Sequence, residues 1–439
     1  MSLTPLDVGV QRFLEFTVTL VFPEVYSTGQ LDAATQALLS EWPTLGSRLN
    51  SLRTDLIPSE PDNPPNIYRG KLVDKSLEDV IDISKPKQAG DDIKKLDKLF
   101  KFSNSLKKAL RGQVFQVRAL LLQNATVIRF VFQHPLCDAT GGYTIVEAYC
   151  NILSGNKVPD VSFMRTPLRL YDGTTQEATN EKNTQTTAEV INRTRELFTW
   201  SWRALLKKGV KLAARDVLHP KRVDNTLYIP GKQIRVWKEE AQRQNISVTD
   251  HDLLTAFIYQ SAYEQSLPQD YSMIFGIRRQ LQNQTPMHNS CLVLPINIDC
   301  LHDSNQSNPA ALPKIAAEVR RTIHQARQPE CLSKLLQFHA NPSAQPMIPR
   351  WIGRKACQVS VTSWTDLPFF DLDTRGTTPS FVFGELDLWG LLKMFGLSMD
   401  DIIITWKGQA AEEGGHEGYW IRGRLNRVVW ERMAEAIGK

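Results

Sequence analysis

The apolar-rich run at residues 127–132 passes into a polar pair, Gln133-His134. Ile128, Phe130, Phe132 and His134 share one parity, so they project to one face of a strand. Pro135 has no N–H to give a neighbouring strand, which ends the element there. Asp138, Gly141 and Gly142 supply turn chemistry. Val146, Tyr149, Cys150 and Leu153 then recur at the spacing of an amphipathic helix. The run VIRFVFQHPLCDATGGYTIVEAYCNIL therefore reads as strand, turn and helix, with a histidine at the strand end and an aspartate before the helix.

The same two periods place the remaining elements. Residues 13–22 alternate as a strand, and 31–39 read as a helix stopped by Pro43 and turned at Gly46. Residues 114–122 and 126–132 flank Gln123-Asn124-Ala125 as a hairpin that delivers its second strand to His134. Thr4-Pro5-Leu6-Asp7 reads as an exposed turn, and 51–108 as a solvated loop and surface helix. Loop-forming residues at 172–175 and 180–185 precede a basic helix expected over about 188–217, with Lys207, Lys208, Lys211 and Arg215. Further on, 226–229, 272–275, 292–298, 358–364, 381–383, 402–406 and 419–424 read as strands. Helices are expected at 231–244, after the N-cap Thr249, at about 316–328 and at 427–437. The chain thus divides into 1–164, a crossover at 165–222, and 223–439, an α/β pattern in two halves.

Composition narrows the function classes. With 439 residues, 42% hydrophobic and 23% charged, the chain has ample material for a globular core. The net charge of +5 is too mild for a nucleic-acid partner, and no basic–aromatic stripe is present, though local clusters could hold a polyanionic cofactor. The six cysteines (137, 150, 291, 300, 331, 357) lack paired spacing, which argues against a metal site or a disulfide framework and for a reducing compartment. No apolar run is long enough to span a bilayer, and residues 1–5 lack the character of a secretory signal. A cytoplasmic monomer without a membrane partner is expected.

His134 is the candidate for chemistry. A neutral imidazole near working pH can take a proton from a hydroxyl or amine as it attacks. The plainer reading is a packed histidine followed by an N-capping aspartate. His251 reads as exposed, and His302, His324 and His339 lack ligand spacing and are given no role.

His134-x-x-x-Asp138 with Gly141 three residues on resembles the HxxxDxxG signature of the BAHD superfamily of CoA-dependent acyltransferases. Other landmarks follow in the order of that family. Residues 43–49 (PTLGSRL) resemble its P-L-A-G-R-L segment, and 249–259 its S/T-x-x-x-x-L-x-A-x-I-W helix. Residues 276–281 (GIRRQL) are similar to its D-x-R-x-R-L stretch, with Gly276 in place of the aspartate and Arg278 matching. Asn289 stands where the family has G-N, and Ser363-Trp364 with Leu367-Pro368 resembles its S-S-W…L-P. The second signature, D-F-G-W-G-x-P, corresponds to Asp373-Thr374-Arg375-Gly376-Thr377-Thr378-Pro379, where the aromatic residues are absent and the glycine stands one residue late. The style is closest to the fungal branch that includes trichothecene acetyltransferases.

The resemblance implies a two-lobed fold like chloramphenicol acetyltransferase, with two mixed sheets, helices and a channel between the lobes. It implies transfer of an acyl group from acyl-CoA, as co-substrate rather than permanently bound cofactor, to a small secondary metabolite. His134 would be the general base, with Asp138 in the catalytic turn. A buried Asp138 needs a cation or several donors, so a pair with Arg278 is expected. Gly141, Arg278 and Asp373 would support the site, while Thr249, Asn289, Ser363 and Trp364 would lie near cofactor or acceptor. Two alternatives stay open: condensation, cyclisation or carrier-bound thioester chemistry on the same fold, motivated by the altered second signature, and a non-catalytic binding relative.

Overall fold

A strand can bury both faces only if something covers each side, and residues 126–133 are buried at every position. In the computed structural model this strand lies inside a five-stranded sheet. The structure describes residues 1–8, 10–60, 65–81, 89–100, 112–163, 170, 181–198, 222–263, 269–281, 287–296, 311–340, 357–388, 399–409 and 418–438. Lys207, Lys208, Lys211 and Arg215, most of the crossover, Cys300, His302 and the turn at 412–417 lie outside those residues.

The first half contains α1 (Pro5–Val8), β1 (Leu14–Phe22), α2 (Thr28–Glu41), β2 (Arg48–Leu49), β3 (Leu56–Ile57), β4 (Tyr68–Leu72), α3 (Ala89–Leu99), β5 (Phe115–Leu121), β6 (Thr126–Gln133) and α4 (Ala139–Leu153). Next comes α5 (Glu181–Phe198). The second half contains β7 (Arg222–Ile229), α6 (Gly231–Arg243), α7 (Asp250–Ala262), β8 (Gln269–Gly276), β9 (Cys291–Ile296), α8 (Leu312–Ala326) and α9 (Pro329–Ala340). It ends with β10 (Cys357–Ser363), β11 (Phe381–Leu388), β12 (Ile402–Lys407), β13 (Tyr419–Asn426) and α10 (Arg427–Gly438).

The first sheet has the order β11-β1-β6-β5-β4 and the second β7-β13-β12-β10-β8-β9. Both are mixed. β4 and β5 are parallel within an otherwise antiparallel sheet, and β10 is parallel to both β8 and β12. β11 lies between β10 and β12 in sequence, both strands of the second sheet, yet it pairs with β1 at the edge of the first. Its alternation identifies it as a strand but says nothing of which edge receives it.

Two stretches differ from the polar reading. Within 51–108, Tyr68 of β4 and Ile93 and Leu96 of α3 are buried, so this region adds a strand and an amphipathic helix to the core. Asp7 in the opening turn is fully buried rather than exposed. One core gathers Phe16, Leu20, Phe130, Phe132 and Tyr149 around the first sheet, and another gathers Leu253, Ile258, Val319, Val361 and Ile421 around the second. Phe132 stacks on Phe16 at 4.7 Å and lies 5.3 Å from Phe115. Each buried phenylalanine of this kind contributes about 1.5–3 kcal/mol, which holds the strand that ends in His134. No helix among the described residues is long and apolar enough to cross a membrane.

Candidate active site

His134 follows the last residue of β6 directly. Its N–H donates to the Leu14 carbonyl at 2.9 Å, extending the β1–β6 ladder by one step before Leu136 N–H turns back to the Gln133 carbonyl. The ring stands edge-on to Phe16 at 5.4 Å. Nδ1 is buried and makes no hydrogen bond. Burial lowers the imidazole pKa below its ordinary 6.5, while its own carbonyl, Asp138, Asn289 and Asp7 push the other way. The ring is therefore neutral at neutral pH, the state a proton acceptor needs.

Asp138 caps α4. Its Oδ1 accepts the Gly141 N–H at 3.0 Å, and its Oδ2 accepts the Ser290 N–H at 2.9 Å. Arg278 Nη2 donates to both oxygens, at 2.8 and 3.0 Å. With its lone pairs taken by a cap, a backbone amide and a guanidinium, this carboxylate braces the turn, and Asp138 also borders the cavity at His134. Gly141 has no room for a side chain, since a Cβ there would meet Cys137 Cβ at 2.7 Å and the Met287 carbonyl at 2.8 Å. That close approach brings the 287–290 segment of the second half onto the turn of the first.

A cavity of about 100 Å³ opens at His134. Phe16, His134 and Leu386 wall it from the first sheet, and Gly276, Cys291, Ser363 and Trp364 from the second. Gly276 and Cys291 are the last pair of the β8–β9 ladder. A Cβ at Gly276 would meet no atom within 4 Å, so the residue that replaces the expected aspartate leaves space. Ser363 Oγ shares a hydrogen with Thr365 Oγ1 at 2.8 Å. Trp364 is buried, edge-on to Phe16 at 6.0 Å, and lies over Gly384 of β11.

The other expected residues are not on this wall. Thr249 caps α7 through a reciprocal bond with Asp252. Asn289 is fully buried behind the His134 turn, where Nδ2 donates to Asp7 Oδ1 at 2.8 Å and to the His134 carbonyl at 2.9 Å. Asp373 belongs to a turn at the far end of α4, with its Oδ1 accepting the Gly376 N–H at 2.6 Å. In that turn Arg375 Nε donates to the Leu153 carbonyl at 2.9 Å, and Arg375 N–H donates to Ser154 Oγ at 3.0 Å. The helix of 15 residues puts the Asp373 turn about 22 Å from Asp138. His251 is half-buried rather than exposed, with Nδ1 enclosed, and burial lowers its pKa.

Asp7 is the site residue that the pattern missed. Thr4 N–H and hydroxyl donate to its Oδ2 at 2.9 and 2.7 Å. That Thr-x-x-Asp spacing is an N-terminal helix signal. The helix is only four residues long, so no periodicity followed to strengthen it.

No protein-family model matches the chain. It is 21% identical over 323 residues to acetyltransferase peniE of Penicillium patulum, a match spanning 63% of this chain and 64% of that protein, slightly under two thirds of the relative's length. Among solved structures it is similar to F. sporotrichioides TRI101 complexed with coenzyme A and T-2, at a TM-score of 0.68 and 12% identity, covering 99% of this chain and 96% of that one. Vinorine synthase is similar at a TM-score of 0.60 and 12% identity, covering 98% and 91%. With two mixed sheets joined at a histidine turn and near-complete coverage by these structures, the chain has the α/β fold of the BAHD acyltransferases.

Proposed function

We propose that the chain is an acyltransferase that moves an acyl group from acyl-CoA to a hydroxyl or amine of a small secondary metabolite, with His134 as general base. The observation that carries this reading is a histidine with a buried Nδ1 in the wall of a cavity between the two sheets, where burial favours the neutral ring. The likeness to an acetyltransferase, and to a structure complexed with coenzyme A, supports the choice of donor.

In this mechanism Nε2 takes the proton of the acceptor. The freed lone pair forms a bond to the thioester carbonyl carbon, and the tetrahedral oxyanion needs donors. Thr362 and Ser363, at the end of β10, line the cavity, and a hydroxyl of one of them would supply such a donor. Collapse breaks the C–S bond, and the departing thiolate takes the proton back from the imidazolium. Direct transfer between two reactants oriented at His134 requires no acyl-enzyme. Cys291 borders the cavity, but burial pushes its thiol pKa well up, which disfavours a thiolate nucleophile.

The decisive experiment is turnover with free acyl-CoA and a panel of hydroxyl and amine acceptors. His134→Ala is expected to lower kcat about 100- to 10,000-fold, the range for a lost general base, with an unchanged melting temperature. Activity that needs a carrier-bound thioester would point to the condensation alternative, and full activity of His134→Ala would remove the mechanism. Because the folded pKa of His134 is below 6.5, the acid limb of kcat/KM is expected below that pH.

A further inference from the structure

Two buried polar atoms at the back of the His134 turn make no hydrogen bond: His134 Nδ1 and Asn289 Oδ1. An unpaired buried donor or acceptor costs about 1–3 kcal/mol, and these two are complementary once Nδ1 carries the proton. The Asn289 amide has no freedom to offer its nitrogen instead. Both of its hydrogens are engaged, one by Asp7 Oδ1 at 2.8 Å and one by the His134 carbonyl at 2.9 Å. Flipping the amide would set its oxygen against a carboxylate and a carbonyl. Asp7 Oδ1 also accepts the Asn289 N–H at 3.2 Å, while Oδ2 is held by Thr4. A carboxylate 282 residues away in sequence thus sets the roll of the amide behind the ring.

We propose that Asp7 is a positioning residue for His134: it locks the Asn289 amide so that Oδ1 receives the His134 Nδ1–H, which leaves Nε2 unprotonated toward the cavity. The proposal rests on the reading of His134 as base. An acceptor behind Nδ1 selects one tautomer of the neutral ring, and the ring's other nitrogen becomes the base. The same acceptor stabilises the imidazolium, since Nδ1–H is present in both states. Burial lowers the His134 pKa; its own carbonyl and Asp138 oppose that most, and the Asn289 side chain and Asp7 act in the same direction to a smaller extent. Among the described residues, Asp138 and its partner Arg278 also stand at the turn, the buried His288 adjoins Asn289 in the chain, and burial keeps Cys291 a thiol.

The test uses the full chain labelled with ¹⁵N in its 8 histidines, with the His134 signals assigned by their loss in His134→Ala. Long-range ¹H–¹⁵N spectra report the tautomer in the wild type, Asp7→Ala and Asn289→Ala, alongside kcat, KM and pH profiles. The wild type is expected to hold Nδ1–H. Both variants are expected to show mixed tautomers and a kcat lowered about 10- to 100-fold, as for other residues that orient a working histidine, with KM for acyl-CoA unchanged. Their acid limb is expected at lower pH, because the imidazolium loses an acceptor. A general packing defect would lower kcat without moving that limb. If one variant fails to fold, the other decides. A folded variant that keeps the wild-type tautomer and acid limb overturns the proposal. Full turnover by His134→Ala would instead overturn the reading of His134 as base, while the tautomer data would still judge the Asp7–Asn289 lock.

Discussion

The two ends of α4 meet the two signature stretches under opposite conditions. At the N-terminal end Asp138 is buried and bonded to groups from three separate segments, at Gly141, Arg278 and Ser290. At the C-terminal end Arg375 and Gly376 sit in an exposed turn with positive φ angles of 59° and 85°, and nothing crowds Gly376. A buried charge with fixed partners tolerates little change, because each lost partner leaves an unsatisfied group. An exposed turn needs only backbone conformations and a few bonds to the helix end, which several sequences can supply. The expected H-x-x-x-D-x-x-G spacing falls on the buried end, and the departure from the expected second signature falls on the exposed one.

That contrast can be broken or sharpened by substitution. The largest stability loss is expected for Asp138→Ala, which removes the cap, the acceptor of the Ser290 N–H and the carboxylate paired with Arg278, about 3–5 kcal/mol by analogy with halved buried pairs. Denaturant unfolding would measure it, and a loss under 1 kcal/mol would mean that the turn relaxes to solvent. Gly141→Ala comes next at about 1–3 kcal/mol, since the new methyl must displace Cys137 or the Met287 backbone. The smallest effect is expected for Arg375→Ala at the exposed end, about 1 kcal/mol for one hydrogen bond to Leu153. Equal losses for Asp138→Ala and Arg375→Ala would erase the distinction between the ends.

Much of the architecture was legible because it is locally encoded. β1, β5, β6, α2 and α4 follow from alternation, helical spacing and the breakers Pro43 and Pro135. β4 was not, because its YRGKL sequence lacks the signal of a buried strand and only Tyr68 is buried. Nor was the docking of β11 on β1, since an apolar strand carries no label for its neighbour. The Asp138–Arg278 contact was anticipated from the family resemblance and not from spacing, as 140 residues separate the two. His251 was misread because a polar residue in the first turn of a capped helix usually faces water, while here it is half-buried.

The sequence by itself determined that a strand would end at His134, turn through Asp138 and continue as a helix. Those events depend on neighbours a few residues away, a proline, two glycines and a cap. Only the tertiary structure decided that Nδ1 of that ring is buried, what stands behind it and what opens before it. Asp7, Asn289 and the cavity wall arrive from distant segments. Their meeting depends on how the sheets close around a shared core, and short-range spacing carries no trace of that packing.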